Sequence, residues 1–348
     1  MNTLFNLDLL VRENVKALKP YSSARDEYVS SGEQMVFLDA NENPFENGLN
    51  RYPDPHQRNL KQLISEVKQV EACQILVGNG SDEVLDLIFR AFCEPGKDNI
   101  ITLPPTYGMY KVLSGINNIE NREVLLTDKF QPNVDEILAA TDENTKLLFL
   151  CTPNNPTGNS FDFEAIERLL FEFPGLVVVD EAYIDFATNG SWSFRLNDFP
   201  NLIVIQTLSK AFAMAGIRLG LCFASEEIIA VLKKIKPPYN VNELTQQKAF
   251  EALENYETVK EQVQTLLQER KRLSEAIATI PYIETIYDSD ANFILIQVDD
   301  ANRRYNQLLK KGIVIRNRST QPLCENTLRL TIGTKEENDK LISTLKAL

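Results

Sequence analysis

The sequence predicts an α/β protein, in which a large domain with a mostly parallel sheet flanked by helices is followed by a smaller α+β domain. The first observation is that apolar, β-branched runs alternate with helical patterns as far as Lys236-Pro237-Pro238. The second is that a long helical region, over about 241–278, then precedes three short strand-like runs. We therefore expect three parts, which are an N-terminal arm (1–35), the large domain (36–236) and the small C-terminal domain (237–348).

Composition and charge argue against several classes of function. The 348 residues include 49 acidic and 36 basic side chains, and the net charge of −13 disfavours a broad surface for nucleic acid or an anionic membrane. No apolar run approaches the ~18 residues that span a bilayer, and the N-terminus lacks the apolar core of a signal peptide. Five scattered cysteines without a C-x-x-C pair favour free thiols and a cytoplasmic protein. His56 is the only histidine, so the sequence argues against a histidine-based catalytic triad and against a metal site with several histidine ligands.

A glycine-containing turn follows the first apolar run of the large domain. The run at 75–77 leads into a turn that includes Gly80, Ser81 and Asp82, and a helical pattern comes next. Backbone N–H groups at a helix start are free to bind a phosphate, so this turn is a candidate phosphate site. The pattern is weak by itself, because many strand-to-helix turns use glycine only to reverse the chain.

Further apolar runs end in side chains that carry chemistry. Tyr107 follows the run 100–103, and Asn155 follows the run 147–150. Asp180 and Tyr183 follow the run 176–179. Thr207, Ser209 and Lys210 follow the run 202–205. Parallel strands direct their carboxyl ends to one edge of a sheet, where α/β proteins bind ligands. We therefore expect these side chains to meet in one crevice.

Lys210 would present an amine at that edge. Desolvation lowers the pKa of a lysine, and a partly neutral amine can condense with an aldehyde. Asp180 follows four apolar residues, so its carboxylate needs a partner to offset the cost of burial, and a protonated ring nitrogen is a suitable one. Tyr183 and Asn155 could each donate a hydrogen bond to a phenolate-like oxygen.

Arg218 offers a planar guanidinium that matches a phosphate dianion. Tyr107 could stack on an aromatic ring. Other groups available to the same phosphate are Thr207, Ser209 and the amides of Gly80 and Ser81. Taken alone, each group has an ordinary alternative, such as a helix cap, a turn asparagine or a surface ion pair. Their occurrence in this order, each at a strand end, favours pyridoxal 5′-phosphate held on Lys210.

Motifs at these positions resemble those of a known family. They are Asn154-Asn155-Pro156-Thr157-Gly158, Asp180-Glu181-Ala182-Tyr183 and Ser209-Lys210-Ala211-Phe212. With Arg218, they resemble the fold-type I pyridoxal-phosphate aminotransferases, over a match that runs from about Leu38 to the carboxyl terminus. Within that family, the segments 41–44, 51–54 and 328–334 look most like the histidinol-phosphate aminotransferases.

The resemblance implies an enzyme that transfers an amino group between histidinol phosphate and 2-oxoglutarate, giving imidazole acetol phosphate and glutamate in histidine biosynthesis. It also implies a homodimer in which Tyr52 reaches the cofactor phosphate of the other subunit. Arg329 would hold the substrate carboxylate, and Arg316, with Tyr21, would meet the substrate phosphate. The residues alone favour Tyr21 as a packing anchor.

Two departures from the family pattern concern local geometry. Gln206 stands where an arginine is common, and Ala213 stands where a glycine is usual. Neither change removes a group that the chemistry requires.

Three alternatives remain beside this prediction. A related enzyme could act on aromatic amino acids or decarboxylate threonine phosphate, because such enzymes share the core motifs. A ligand-sensing transcription regulator would need a DNA-binding module, for which the residues before the match are too few. A catalytically silent binding protein would not be expected to retain Lys210, Asp180 and Arg218.

Overall fold

The structure is a computed structural model that describes residues 5–20 and 36–348. Its helices are α1 (Leu7–Leu10), α2 (Glu13–Ala17), α3 (Arg58–Lys68), α4 (Ser81–Phe92), α5 (Met109–Ile116), α6 (Val134–Ala139), α7 (Phe163–Glu172), α8 (Glu226–Ile235), α9 (Glu243–Glu254), α10 (Tyr256–Ile277), α11 (Ala301–Lys310) and α12 (Lys335–Lys346). Its strands are β1 (Ile75–Asn79), β2 (Asn99–Thr102), β3 (Glu120–Glu123), β4 (Thr145–Cys151), β5 (Leu176–Asp180), β6 (Leu202–Thr207), β7 (Leu219–Ala224), β8 (Ile283–Ile286), β9 (Phe293–Val298), β10 (Arg316–Asn317) and β11 (Thr327–Thr331).

The larger sheet has the strand order β1-β7-β6-β5-β4-β2-β3. Neighbouring strands from β6 to β3 pair in parallel, whereas β7 pairs antiparallel with both β1 and β6. The predicted mostly parallel sheet is therefore confirmed. Because the parallel strands run in one direction, the residues after β2, β4, β5 and β6 emerge at one edge.

Helices cover both faces of this sheet. In β5, Val177 and Val179 belong to a core shared with α3 and α7, whereas Leu176 and Val178 belong to a second core shared with α4 and α8. Successive side chains of a strand point to opposite faces, so a strand covered on both sides has to be apolar throughout. This requirement explains the continuous apolar runs of the sequence.

The described part of the N-terminal arm packs on the second of these cores. Leu10, Val11 and Val15 are buried there, and Arg12 Nε pairs with Glu94 Oε2 at 3.0 Å. None of the helices described here is both long and apolar enough to cross a membrane.

A second, antiparallel sheet has the order β10-β11-β9-β8 and forms a third core with α10, α11 and α12. The predicted long helical region breaks at Asn255 into α9 and α10. Helix α10 then joins two cores, with Val263 in the first and Leu273 and Ile277 in the third. The division of the chain at residue 236 stays a prediction.

Candidate active site

One cavity at the carboxyl ends of β5 and β6 brings most of the predicted side chains together. The predicted residues in its lining are Ser81, Asp82, Tyr107, Asn155, Asp180, Tyr183, Thr207, Ser209, Lys210 and Arg218. Gly80 lies beside them, since a Cβ atom built on it would fall 2.7 Å from Arg218 Nη2. The crevice that the strand ends predict is therefore present.

Lys210 lies in the loop after β6, with its Nζ 5.8 Å from the centre of the Tyr183 ring. Partial burial, and then the positive charge of Arg329, lower the pKa of the Lys210 ammonium, while Asp180 opposes the shift. A lowered pKa increases the fraction of neutral amine at neutral pH. Neutral amine is the form that attacks a carbonyl carbon or accepts a proton.

Asp180 is the last residue of β5 and is only 3% exposed. Burial raises the pKa of its carboxyl to about 6, although the hydrogen bonds from Tyr110 and from the Ala182 amide act in the opposite direction. Both donors are neutral, and no ion pair involves Asp180 within the described ranges 5–20 and 36–348. This buried carboxylate therefore still has room for a cationic partner.

Tyr110 is a residue of this site that sequence reasoning missed. Its hydroxyl donates to Asp180 Oδ2 at 2.7 Å, and the side chain is fully buried in α5. Its ring stacks on Phe149 of β4 and meets the edge of Tyr107. The only signal in the sequence is its place about one helical turn after Tyr107, which a buried aromatic would share without any role in the site.

Asn155 contacts both Tyr183 and Arg329. Its Nδ2 lies 3.4 Å from the Tyr183 hydroxyl, and its Oδ1 accepts a hydrogen bond from Arg329 Nη1. Burial raises the pKa of Tyr183, so its hydroxyl keeps its proton at neutral pH and can donate. An amide and a phenol that are adjacent in this way suit a negatively charged ring oxygen.

Several donors surround one position at the start of α4. Ser81 is the first residue of α4 and lines this cavity, and the first amides of a helix have no acceptor within the helix. Arg218 Nη2 lies 3.5 Å from Asp82 Oδ2, and the hydroxyls of Thr207 and Ser209 are 3.0 Å apart. Gly80 has a φ of +81°, which favours glycine, and the absence of a side chain leaves space for the Arg218 guanidinium. The arrangement can hold a phosphate.

Tyr107 forms part of the cavity wall. Its hydroxyl donates to Asp82 Oδ1 at 3.1 Å, and its pKa is raised by burial and by that carboxylate. Since its hydroxyl is fixed by this hydrogen bond, its ring has a defined orientation in the wall. A planar aromatic ligand could pack against it.

A second cavity of about 420 Å³ shares Lys210, Asn155 and Tyr183 with the first. Arg316 of β10 and Arg329 of β11, which are paired across the strands, both line it. Arg318 also lines it, and sequence reasoning missed this residue. Its position two residues after Arg316 could have indicated it, because alternate residues of an extended segment share a face.

Tyr52 is a predicted site residue that does not line either of these cavities. Tyr52 is 49% exposed and stacks on Tyr239 at 4.5 Å, in a separate cavity of about 590 Å³. Its contact with a cofactor phosphate would need a second subunit, so this role stays a prediction. Tyr21 lies outside the described residues.

The residues present fit a phosphorylated pyridine aldehyde. The amine of Lys210, the buried carboxylate of Asp180 and the cradle of Arg218 with the α4 amides correspond to its aldehyde, ring nitrogen and phosphate. In the part of the chain that the structure describes, no group of three or more His, Cys, Asp or Glu side chains could hold a metal ion.

Residues 36–345 match the family profile described as aminotransferase class I and II. The chain belongs to this family.

Individual members of the aminotransferase family are similar over their full length. The histidinol-phosphate aminotransferase of Flavobacterium johnsoniae is 61% identical over 100% of both chains. That of Christiangramia forsetii is 64% identical over 99% of this chain and 98% of its own. Among solved structures, histidinol-phosphate aminotransferase from Clostridium acetobutylicum has a TM-score of 0.80 at 26% identity, covering 86% of this chain and 90% of the other. The Sinorhizobium meliloti enzyme, in complex with pyridoxal-5′-phosphate, has 0.79 at 25% identity, with coverages of 85% and 82%.

The two departures from the aminotransferase pattern have visible local consequences. Gln206 donates through Nε2 to the buried Glu181 at 2.9 Å, so an amide stands where an arginine would have supplied a charge. Ala213 has a φ of 56°, a left-handed conformation that glycine adopts more readily than alanine. The loop after Lys210 therefore keeps the glycine-type backbone without the glycine.

Proposed function

We propose that this chain is a pyridoxal-phosphate-dependent transaminase that transfers the amino group between histidinol phosphate and 2-oxoglutarate, giving imidazole acetol phosphate and glutamate. The reaction would serve histidine biosynthesis. The observation that carries the proposal is full-length identity of 61–64% to curated histidinol-phosphate aminotransferases. The arginine-lined cavity beside Lys210 is consistent with it, because both substrates are anions.

The cofactor, when bound, supplies an aldehyde for amine capture and a conjugated ring that withdraws electrons from the substrate Cα. Lys210 would hold the cofactor and, once free, would move a proton between the substrate Cα and the carbon that was the aldehyde carbon of the cofactor. Its lowered pKa suits this work, because the neutral amine is the proton acceptor.

Asp180 would keep the ring nitrogen protonated. Its carboxyl has a pKa of about 6 because of burial, and a cation beside it would lower that value and stabilise the carboxylate. Tyr183 and Asn155 would donate to the ring oxygen. Arg218, the hydroxyls of Thr207 and Ser209, and the amides of α4 would bind the phosphate.

The arginines of the second cavity would bind the substrates. Arg329, which is positioned by Asn155, would hold the α-carboxylate of glutamate or 2-oxoglutarate. Arg316 would meet the other end, which is a carboxylate in glutamate and a phosphate in histidinol phosphate. Tyr21 would join it there. Because histidinol phosphate has no α-carboxylate, Arg329 should matter mainly for the glutamate half of the reaction.

A homodimer would complete the site. Exposed apolar side chains are frequent in the same segment of the chain as Tyr52, among them Leu38 at 87%, Phe45 at 81% and Leu49 at 52% exposure, and Leu49 lines the same cavity as Tyr52. A second subunit would cover this surface and place Tyr52 at the neighbouring cofactor phosphate. Light scattering on a sizing column tests the dimer, and a monomer at micromolar concentration would contradict it.

We also propose that the enzyme is cytoplasmic, since four of its five free cysteines are buried and none is paired.

Absorbance spectroscopy of the cofactor-loaded protein tests the function. The band of the bound cofactor should shift on addition of histidinol phosphate, and much less with phosphothreonine or phenylalanine. Borohydride reduction should then add the mass of the cofactor to the peptide that contains Lys210.

The variants Lys210→Ala and Lys248→Ala form a matched pair, because Lys248 is an exposed lysine that pairs with Glu251 on the surface of α9. Lys210→Ala should lose both the labelling and at least about 10⁴-fold in rate, whereas Lys248→Ala should keep both. Labelling of any other peptide, or a faster rate with phosphothreonine or phenylalanine, would overturn the proposal.

A further inference from the structure

We propose that Arg318 is a specificity-determining residue, which joins Arg316 in a two-arginine clamp on the substrate phosphate. The clamp makes the cavity prefer a phosphate monoester over a carboxylate at that end of the substrate. This inference rests on the proposed function, because it concerns the distal group of the same substrate.

The backbone fixes Arg318 at the cavity. Its N–H donates to the Thr327 carbonyl of β11 at 2.9 Å, and its carbonyl accepts from the Gln321 N–H at 2.9 Å. The guanidinium therefore extends from a segment tied to the antiparallel sheet. Its side chain lines the same cavity as Lys210 and Arg316.

The charge of Arg318 has no partner within the described residues. No hydrogen bond or ion pair of its side chain is found there, and its Nε is buried without an acceptor. Other arginines of the same region do have partners, since Arg304 pairs with Asp299 at 2.8 Å and Arg272 pairs with Asp339 at 2.6 Å. An unpaired, half-buried guanidinium is costly, and an anionic ligand would remove that cost.

The cavity itself is free of carboxylates. Its lining contains Lys210, Arg316, Arg318 and Arg329, but no aspartate or glutamate among the described residues, in a chain with a net charge of −13. Arg316 and Arg318 line this one cavity, and burial, and then the charge of Arg316, lower the pKa of Arg318, which is the direction that repulsion between like charges produces. A dianion between them would convert this repulsion into two attractions.

The number of acceptor oxygens decides what the second arginine adds. A carboxylate has two oxygens and one negative charge, and a single guanidinium fork can satisfy both oxygens. A phosphate monoester has three terminal oxygens and close to two negative charges at neutral pH. Arg316 alone would leave one oxygen and one charge unmatched. Arg318 therefore strengthens the binding of a phosphate and adds little for the side-chain carboxylate of glutamate.

The test measures the binding of keto compounds to the pyridoxal-phosphate form of the enzyme. Keto compounds have no amino group to donate to this form, so they bind without reacting. Imidazole acetol phosphate, its dephosphorylated analogue and 2-oxoglutarate would be titrated by calorimetry against the wild type and three variants. Arg318→Gln removes the charge, and Arg318→Lys keeps the charge but removes the fork. Arg303→Gln is the control, since this exposed arginine lies on α11 and pairs with Asp299 at 3.7 Å.

We expect Arg318→Gln to weaken imidazole acetol phosphate on the order of 30-fold, and the other two ligands by less than about 3-fold. Arg318→Lys should lose about 5-fold for the phosphate compound only. Arg303→Gln should match the wild type. Retention of the cofactor absorbance band would establish that each variant is folded.

The outcomes separate this inference from the proposed function. If the wild type does not prefer the phosphorylated compound to its analogue, the proposed function and the clamp both fail. If the wild type has that preference and Arg318→Gln keeps it, the clamp alone is wrong. Equal losses for all three ligands, in Arg318→Gln and Arg318→Lys alike, would also refute it, because they would show a general structural role.

Discussion

The Tyr110 hydroxyl donates a hydrogen bond to Asp180 Oδ2 at 2.7 Å, and Asp180 lines the cavity that contains Lys210. The hydrogen bond favours the ionised carboxylate and opposes the effect of burial on its pKa. A fully buried tyrosine thus helps to keep negative charge at the position proposed for the ring nitrogen.

Tyr110→Phe should move the acidic limb of the pH–rate profile to higher pH. Without the hydrogen bond the pKa of Asp180 rises, and activity that needs the carboxylate is lost sooner as the pH falls. We expect a shift of about 0.5–1 pH unit and a loss of about 1–2 kcal/mol in the free energy of unfolding. The control is Tyr282→Phe, which removes a hydrogen bond to the Leu345 carbonyl far from the cavity. An unmoved limb in Tyr110→Phe would contradict this role.

Arg329→Ala should impair the two halves of the reaction unequally. The variant removes the group proposed to hold an α-carboxylate, which glutamate has and histidinol phosphate lacks. We expect kcat/KM to fall about 100-fold or more for glutamate and less than about 10-fold for histidinol phosphate. The smaller loss follows from the contact of Arg329 with Asn155, which both substrates share. Single-turnover rates with each amino donor measure the difference, and equal losses would exclude this assignment.

Gly80→Ala should weaken the retention of the cofactor. The new Cβ would fall 2.7 Å from Arg218 Nη2 and displace the guanidinium from the cradle. Gly48→Ala is a matched control, because Gly48 has nearly the same φ, +80° against +81°, but a Cβ added to it would meet nothing within 4 Å. We expect at least about a 10-fold rise in the dissociation constant of pyridoxal 5′-phosphate for Gly80→Ala only. Similar rises in both variants would show that backbone strain alone is responsible.

Glu181 should make the protein less stable as the pH rises from about 4.5 to about 7. Burial raises the pKa of this carboxyl to about 7, despite hydrogen bonds from Ser191, from the Trp192 amide and from Gln206. The folded state therefore binds more protons than the unfolded state in this range, and its advantage is lost as the proton leaves. Glu181→Gln should reduce the fall in unfolding free energy over this range by about 2 kcal/mol, measured by urea titration at several pH values. The same pH dependence in the variant would count against this interpretation.

The sequence indicated the large sheet and most of the site because both depend on local patterns. A strand covered on both faces must be apolar along its length, as Leu176 to Val179 are, so its end and the next polar residue can be read directly. Asp180, Asn155 and Lys210 all follow this rule. Their convergence requires only that the strands be parallel.

The contributions of Tyr110 and Arg318 could not be predicted in the same way. Tyr110 is buried in α5, and nothing in its neighbourhood distinguishes a tyrosine that binds Asp180 from one that only fills a core. Arg318 reaches the cavity from the side of the second sheet, although Lys210 is far from it along the chain. Such contacts depend on how the two sheets pack, which no local pattern encodes.

An anionic substrate experiences two opposing electric fields, one from the net charge of the protein and one from the carboxylate-free cavity. At long range the net charge of −13 repels a dianion, whereas within a few ångströms the cationic lining attracts it. At physiological ionic strength the Debye length of about 8 Å suppresses the first field more than the second. Moderate salt should consequently speed the capture of a phosphorylated substrate relative to very dilute buffer, and only much higher salt should slow it.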